Sequence, residues 1–165
     1  GPLGCPPHQG LMDDTTIEAA ARWLPSDLDG LRREADDEGI RIVGVVIDRW
    51  VDGTQRYDAP GESLLVAARQ HGGAVAVGGL SWCPNVAGAL RVRRFYVSPT
   101  MRRHGLAREL ATRLIDGARP HTSKVTCNAQ ASASAPPFWE SLGFTPVVTD
   151  GITHVLDLSA PSGRR

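Results

Sequence analysis

The stretch from residue 90 to residue 129 constrains the fold most. Residues 90–97 read as a strand that ends at Ser98-Pro99. From Gly105 to about Ala118, Leu106, Leu110, Leu114 and Ile115 fall on one face, the period of an amphipathic helix. Residues 124–129 read as the next strand. Two strands joined through a helix make a parallel crossover. The other connections are short. His71-Gly72-Gly73 joins strands at 64–68 and 74–80, and Thr149-Asp150-Gly151 joins strands at 144–148 and 152–158. Such hairpins make antiparallel pairs. A short helix at 135–142 closes at Gly143. The sheet is therefore mixed, an α/β (α+β) arrangement and not a doubly wound one.

The first third is less decided. Residues 15–20 fit a capped helix start, with Thr15 and Glu18 as a capping box, or a first strand. Ser26 precedes Leu28, Leu31 and Ala35, with Asp27 and Asp29 in the first turn and Gly39 after the end, so a helix over 26–38 is expected. Ile40, Val43, Ile47 and Trp50 keep helical spacing, yet the β-branched content of 40–50 suits a strand equally.

Composition narrows the function. A chain of 165 residues, 41% hydrophobic and 22% charged, can bury a core without staples. Eighteen basic and eighteen acidic side chains give no net charge, which excludes a general nucleic-acid or membrane-surface binder. No apolar run approaches the ~20 residues of a membrane span. Cys5, Cys83 and Cys127 are an odd set without metal spacing, so no metal site is expected and a reduced cytoplasm fits. Gly1-Pro2-Leu3-Gly4 looks like a tag remnant. Residues 1–11 are set aside on that ground, 12–158 are taken as one domain, and 159–165 as a flexible tail. The charge is unevenly spread. Residues 13–38 hold nine acids against three arginines, and residues 91–113 hold seven arginines against Glu109.

The basic excess centres on Arg102-Arg103-His104-Gly105-Leu106-Ala107, where a strand has just stopped and a helix begins. The first N–H groups of a helix lack internal partners, and its dipole adds positive charge there. Such a junction is suited to phosphate. Gly105 admits a close backbone approach, small Ala107 keeps the first turn open, and Arg102, Arg103 and Arg108 supply charge-assisted bonds. The competing phosphate-loop patterns, GxGxxG here and GxxxxGK[ST] anywhere, are absent.

These six residues resemble the acetyl-CoA signature of the general N-acetyltransferase (GNAT) superfamily, Gln/Arg-x-x-Gly-x-Gly/Ala. Phe95-Tyr96-Val97-Ser98-Pro99 resembles the family's strand end. Residues 135–144, Ala-Pro-Pro-Phe-Trp-Glu-Ser-Leu-Gly-Phe, resemble its A-x-x-F-Y-E-x-L-G-F segment. The resemblance implies the order β-α-α-β-β-β-α-β-α-β-β in one domain, a mostly antiparallel mixed sheet with helices on both faces. It favours a strand at 15–20 and helices at 26–38 and 40–51.

It also implies acetyl-CoA as cofactor and a primary amine of a small molecule or peptide as acceptor, acetylated by direct transfer. Phe95, Tyr96 and Val97 would border the pantetheine arm, with a main-chain N–H at Val97 as oxyanion donor. The N–H groups of Arg103, His104, Gly105, Leu106 and Ala107 would hold the pyrophosphate. Asn128 or Ser132 would bond the pantetheine amides. A lysine-like amine has a pKa of ~10.4, so at pH 7 roughly 4.6 kcal/mol must come from a base or a depressed pKa.

The family's usual base and acid do not carry over. Arg91 and Arg93 stand where relatives keep a carboxylate, and Trp139 where many keep a tyrosine. Glu62 is the candidate base, acting through water, and Ser132 or Ser134 the candidate bond to the leaving sulfur. If Arg91, Arg93, Phe95 and Val97 alternate onto one strand face, the arginines would suit an acidic group on the acceptor. Cys127 reads as a small buried residue and not as a nucleophile. The missing base and acid keep a non-catalytic acyl-CoA-binding or sensor module as the alternative, and an interaction domain behind it. A monomer and a homodimer are both compatible with the chain.

Overall fold

The computed structural model describes residues 14–159. The segment read as a tag remnant, Cys5 and residues 160–165 lie outside them. The elements follow the expected order: β1 (Thr15–Ala19), α1 (Asp29–Asp37), α2 (Ile42–Asp52), β2 (Ser63–Arg69), β3 (Ala74–Trp82), β4 (Leu90–Val97), a 3-10 turn (Pro99–Met101), α3 (Leu106–Ala118), β5 (Lys124–Cys127), α4 (Ala135–Ser141), β6 (Thr145–Thr149) and β7 (Ile152–Asp157). The seven strands form one mixed sheet in the order β1-β2-β3-β4-β5-β7-β6. The crossover through α3 is parallel, with Leu90 opposite Val125 and Arg91 opposite Thr126. The chain divides into two compact units. Among the described residues, one holds 14–56 with Leu64–Gly78 and Arg94–Ala111, and the other holds Tyr57–Ser63, Gly79–Arg93 and 112–159.

In the first unit, β1 pairs antiparallel with β2, Ile17 opposite Ala67. Helix α1 buries Leu31 and Ala35. It starts later than its sequence punctuation suggests, because Asp27 and not Ser26 supplies the local acceptor: Asp29 N–H donates to Asp27 Oδ1 at 2.9 Å. Residues 42–52 are helical despite their β-branched content. Val43, Val46 and Trp50 are buried at helical spacing, and Gly53 ends the helix with φ +80°. Burial of one face outweighs the few tenths of a kcal/mol of propensity per residue that disfavour it. The core of this unit joins Ala67, Val75 and Ala76 of the sheet to Val97, Met101, Leu106 and Leu110.

In the second unit, β7 lies between β5 and β6, antiparallel to both, with Cys127 and Pro146 each opposite His154. Strand β5 ends at Cys127, two residues short of expectation. The Asn128 side chain ends it by accepting the Gln130 N–H at 3.1 Å, a local turn, and donating to Gly151 O at 3.2 Å. Tyr57, at φ +55°, lays its buried ring on Gly79 of β3. A Cβ on Gly79 would stand 2.7 Å from Tyr57 Cε1. Gly79→Ala is therefore expected to lower stability by about 1–3 kcal/mol, as overpacking does. A thermal or urea melt checks this, and a wild-type midpoint would contradict it.

Candidate functional site

The signature segment is built in the first unit. Ser98 N–H donates to Val75 O at 2.8 Å. By the alternation of an antiparallel ladder, Val97 then turns its N–H and C=O away from β3. The chain makes one 3-10 turn with Pro99 at its start, and fully buried Met101 anchors it in the core. Arg102 is extended, Arg103 is left-handed at φ +66°, and Gly105 is left-handed at φ +88°. A Cβ on Gly105 would meet nothing within 4 Å, so the space above it is open. Helix α3 follows at once, with Glu109 N–H on Gly105 O at 3.0 Å. The Leu106 and Ala107 N–H groups stand in the first turn, where no carbonyl of the helix itself can accept them. Left-handed backbone followed by a helix start is an anion-holding geometry. Arg103 and Arg108 are exposed beside it, and His104 is half-buried.

Arg102 is placed differently from its sequence reading. Its Nη1 and Nη2 donate to Glu38 Oε2 and Oε1 at 2.9 and 2.7 Å, and its Nε donates to Val97 O at 3.1 Å. The Tyr96 hydroxyl also donates to Glu38. The fork from Arg102, with the Tyr96 bond second, holds the Glu38 carboxyl below its usual pKa. Burial and the neighbouring carboxylate push the Tyr96 phenol well above its own, so it stays protonated. Glu38 carried no local signal beyond its place in the acidic run.

Strand β4 departs from regular alternation at Arg94. Arg94 has φ +57°, a left-handed residue inside a strand. An extra residue of this kind breaks alternation. Half-buried Arg91 and Arg93 alternate with buried Leu90 and Val92, whereas Tyr96 and Val97 are both buried in succession. Phe95 and Val97 pack into the core with Leu106 and Leu110. The left-handed Arg94 interrupts the regular alternation on which the expected acidic acceptor rests.

The remaining predicted residues lie in the second unit. Glu62 accepts the Trp82 backbone N–H at 3.2 Å, while Trp82 Nε1 donates to Pro60 O at 3.0 Å. Ser132 and Ser134 hydroxyls are 3.0 Å apart and exposed. Asn128 holds the strand end as described. Burial raises the Cys127 thiol to about 12 despite nearby Arg91, which keeps it a thiol. Trp139 is buried edge-on between Phe138 and Phe144. A network the sequence did not suggest runs from Glu140 Oε2 to His154 Nε2 (2.8 Å), from His154 Nδ1 to Thr153 Oγ1 (2.7 Å), and on to the Ala129 N–H (2.8 Å). Buried His154 is thus satisfied at both ring nitrogens. Among the described residues no three or more His, Cys, Asp or Glu gather as a metal site, and no helix is long and apolar enough to cross a membrane.

Comparison with known proteins agrees with this geometry. No curated protein sequence matches the chain. A protein from Exiguobacterium sp. 255-15 assigned to the acetyltransferases superposes with a TM-score of 0.77 at 26% identity, covering 87% of this chain and 93% of that one. The yncA protein of Salmonella typhimurium, solved with its cofactor acetyl-CoA, superposes at 0.60 with 18% identity over 90% and 96% of the two chains. A mutant of the spermidine N-acetyltransferase SpeG from Vibrio cholerae does so at 0.63 with 14% identity over 89% and 95%. The last two are likenesses of fold. The profile of the acetyltransferase (GNAT) domain matches residues 33–156. That match spans most of the chain, including the signature loop, so the chain belongs to the GNAT acetyltransferase family.

Proposed function

We propose that this protein is an acetyl-CoA-dependent N-acetyltransferase that acetylates a primary amine of a small molecule or peptide by direct transfer. The observation that carries the reading is the loop from Arg102 to Ala107. Left-handed Arg103 and Gly105, open space where a Cβ of Gly105 would stand, and a helix start together make a backbone geometry suited to an anion. The residues present fit the cofactor. The N–H groups of Arg103 to Ala107 would hold the pyrophosphate, and the exposed Arg103 and Arg108 guanidiniums would meet the phosphates. When bound, the thioester supplies the activated acetyl group.

The chain's own residues account for the rest. The Val97 N–H, next to the Ser98 N–H that bonds Val75 O, is the proposed donor to developing negative charge. Asn128 is tied to Gly151 and Gln130, so Ser132 is the freer of the two proposed amide contacts. Glu62 keeps one carboxylate oxygen beyond its bond to Trp82 N–H, and that oxygen is the proposed acceptor of the ammonium proton through water. Trp139 carries no group able to protonate a thiolate. A thiolate is a good leaving group, and the Ser132–Ser134 pair is the proposed hydrogen-bond partner for it.

Acetyl-CoA incubated with a panel of amines, with free thiol released as the readout, tests the proposal. Amine-dependent thiol release with a matching mass gain of acetyl on the acceptor is the expected result. Cofactor binding with no release above the amine-free rate, for polyamine, amino-acid and peptide amines alike, would assign the chain to the sensor class instead.

A further inference from the structure

Helix α1 ends against the ordinary electrostatic rule. Its last turn holds Asp36 and Asp37, Glu38 caps it, and no basic residue stands among them. Carboxylates at a helix C-terminus face the negative end of the dipole. Within the helix Arg32 reaches Asp36 at 3.7 Å, which leaves the Glu38 carboxylate needing compensation from outside. Arg102 supplies it, 64 residues later in the chain.

The compensation fixes the loop. Three groups of Arg102 are committed at once: Nη1 and Nη2 to the two Glu38 oxygens, and Nε to the carbonyl of Val97. The Nε bond closes the chain from Val97 to Arg102 into a short ring, and the guanidinium lies over the Tyr96 ring, 5.5 Å from its centre. Arg103, the next residue, is left-handed without being glycine. That conformation costs about 1–2 kcal/mol and persists only where its flanks determine it. Buried Met101 fixes the approach, and the Glu38–Arg102 fork fixes the residue between.

We propose that Glu38 is a positioning residue for the phosphate-holding loop. It acts through Arg102, which braces the loop against the end of β4 and leaves the backbone N–H groups, with Arg103 and Arg108, as the contacts for the cofactor phosphates. The proposal rests on the cofactor reading above. It assigns Arg102 a task other than phosphate binding. A planar five-donor fork meets two carboxylate oxygens and a carbonyl together, and a lysine cannot.

The test uses Glu38→Ala, Arg102→Ala and the double variant, with Glu38→Gln as an isosteric replacement should Glu38→Ala fold poorly. Hydrogen exchange of residues 98–107 is measured without cofactor, and CoA affinity by calorimetry. Each single variant is expected to speed exchange of this segment about tenfold while β2 and β3 keep their protection. Each is expected to raise the Kd for CoA about tenfold, as loss of preorganisation does. The double variant should be no weaker than the worse single, because the two residues act as one unit. Unchanged loop exchange and an unchanged Kd in Glu38→Ala would overturn the proposal. So would tighter CoA binding, which would make Glu38 a competitor that withholds Arg102 from phosphate. Wild-type protein that does not bind CoA would overturn the cofactor reading itself, and the cofactor-free exchange data would show that failure to be separate.

Discussion

Gly105→Glu is expected to lose the proposed CoA binding, by at least about a hundredfold or ~2.7 kcal/mol relative to the wild type. The variant is expected to fold. Nothing lies within 4 Å of a Cβ built at this position, so no core contact is disturbed. The left-handed φ of +88° costs about 1 kcal/mol for a residue with a side chain. The large effect is on the ligand. A carboxylate carried into the cradle repels phosphate and occupies the N–H groups at the start of α3 itself. Gly105→Ala separates the two causes, since it brings the backbone strain without the charge and should lose far less. Calorimetric titration with CoA checks both, and a glutamate variant within threefold of wild type would remove the loop from the binding site.

Leu110→Ala is the largest expected loss of stability, about 3 kcal/mol within the range of 2–5 for buried leucine truncation. Leu110 is fully buried and packs with Val97, Met101 and Leu106 under the signature loop. Its removal leaves a void that rigid neighbours fill poorly. For a chain of this size the melting temperature should fall by roughly 6–12 °C. The side chain supplies no group to the cradle, so CoA affinity measured well below the melting point should change less than threefold. A melt within a degree of wild type would mean that α3 is not held by this face.

The crossover from β4 through α3 to β5 was legible because its periods switch from strand to helix and back within forty residues. The strand end, the left-handed Gly105 and the helix start proposed as a phosphate cradle were legible because they are local features. Helix α2 was not, since its β-branched residues fit either period and only burial of Val43, Val46 and Trp50 decides between them. Arg94 gave no sign of a left-handed residue, as a glycine would have, so a continuous alternation was expected where β4 breaks it. Glu38 and Arg102 meet across 64 residues, and His154 meets Glu140 through the pairing of β7 with its neighbours. No spacing rule reports contacts of that kind. The acidic and basic runs were visible as two excesses, and Glu38 with Arg102 is a bidentate pair that joins one run to the other.

The thermal melt of the wild-type protein with and without acetyl-CoA tests the proposed cofactor most directly. A ligand that binds only the folded chain adds RT ln(1 + [L]/Kd), ~2.7 kcal/mol at a hundredfold excess over Kd. The account predicts a melting temperature that climbs with acetyl-CoA concentration by several degrees and does not move in Gly105→Glu. A wild-type melt unchanged at millimolar acetyl-CoA would contradict it.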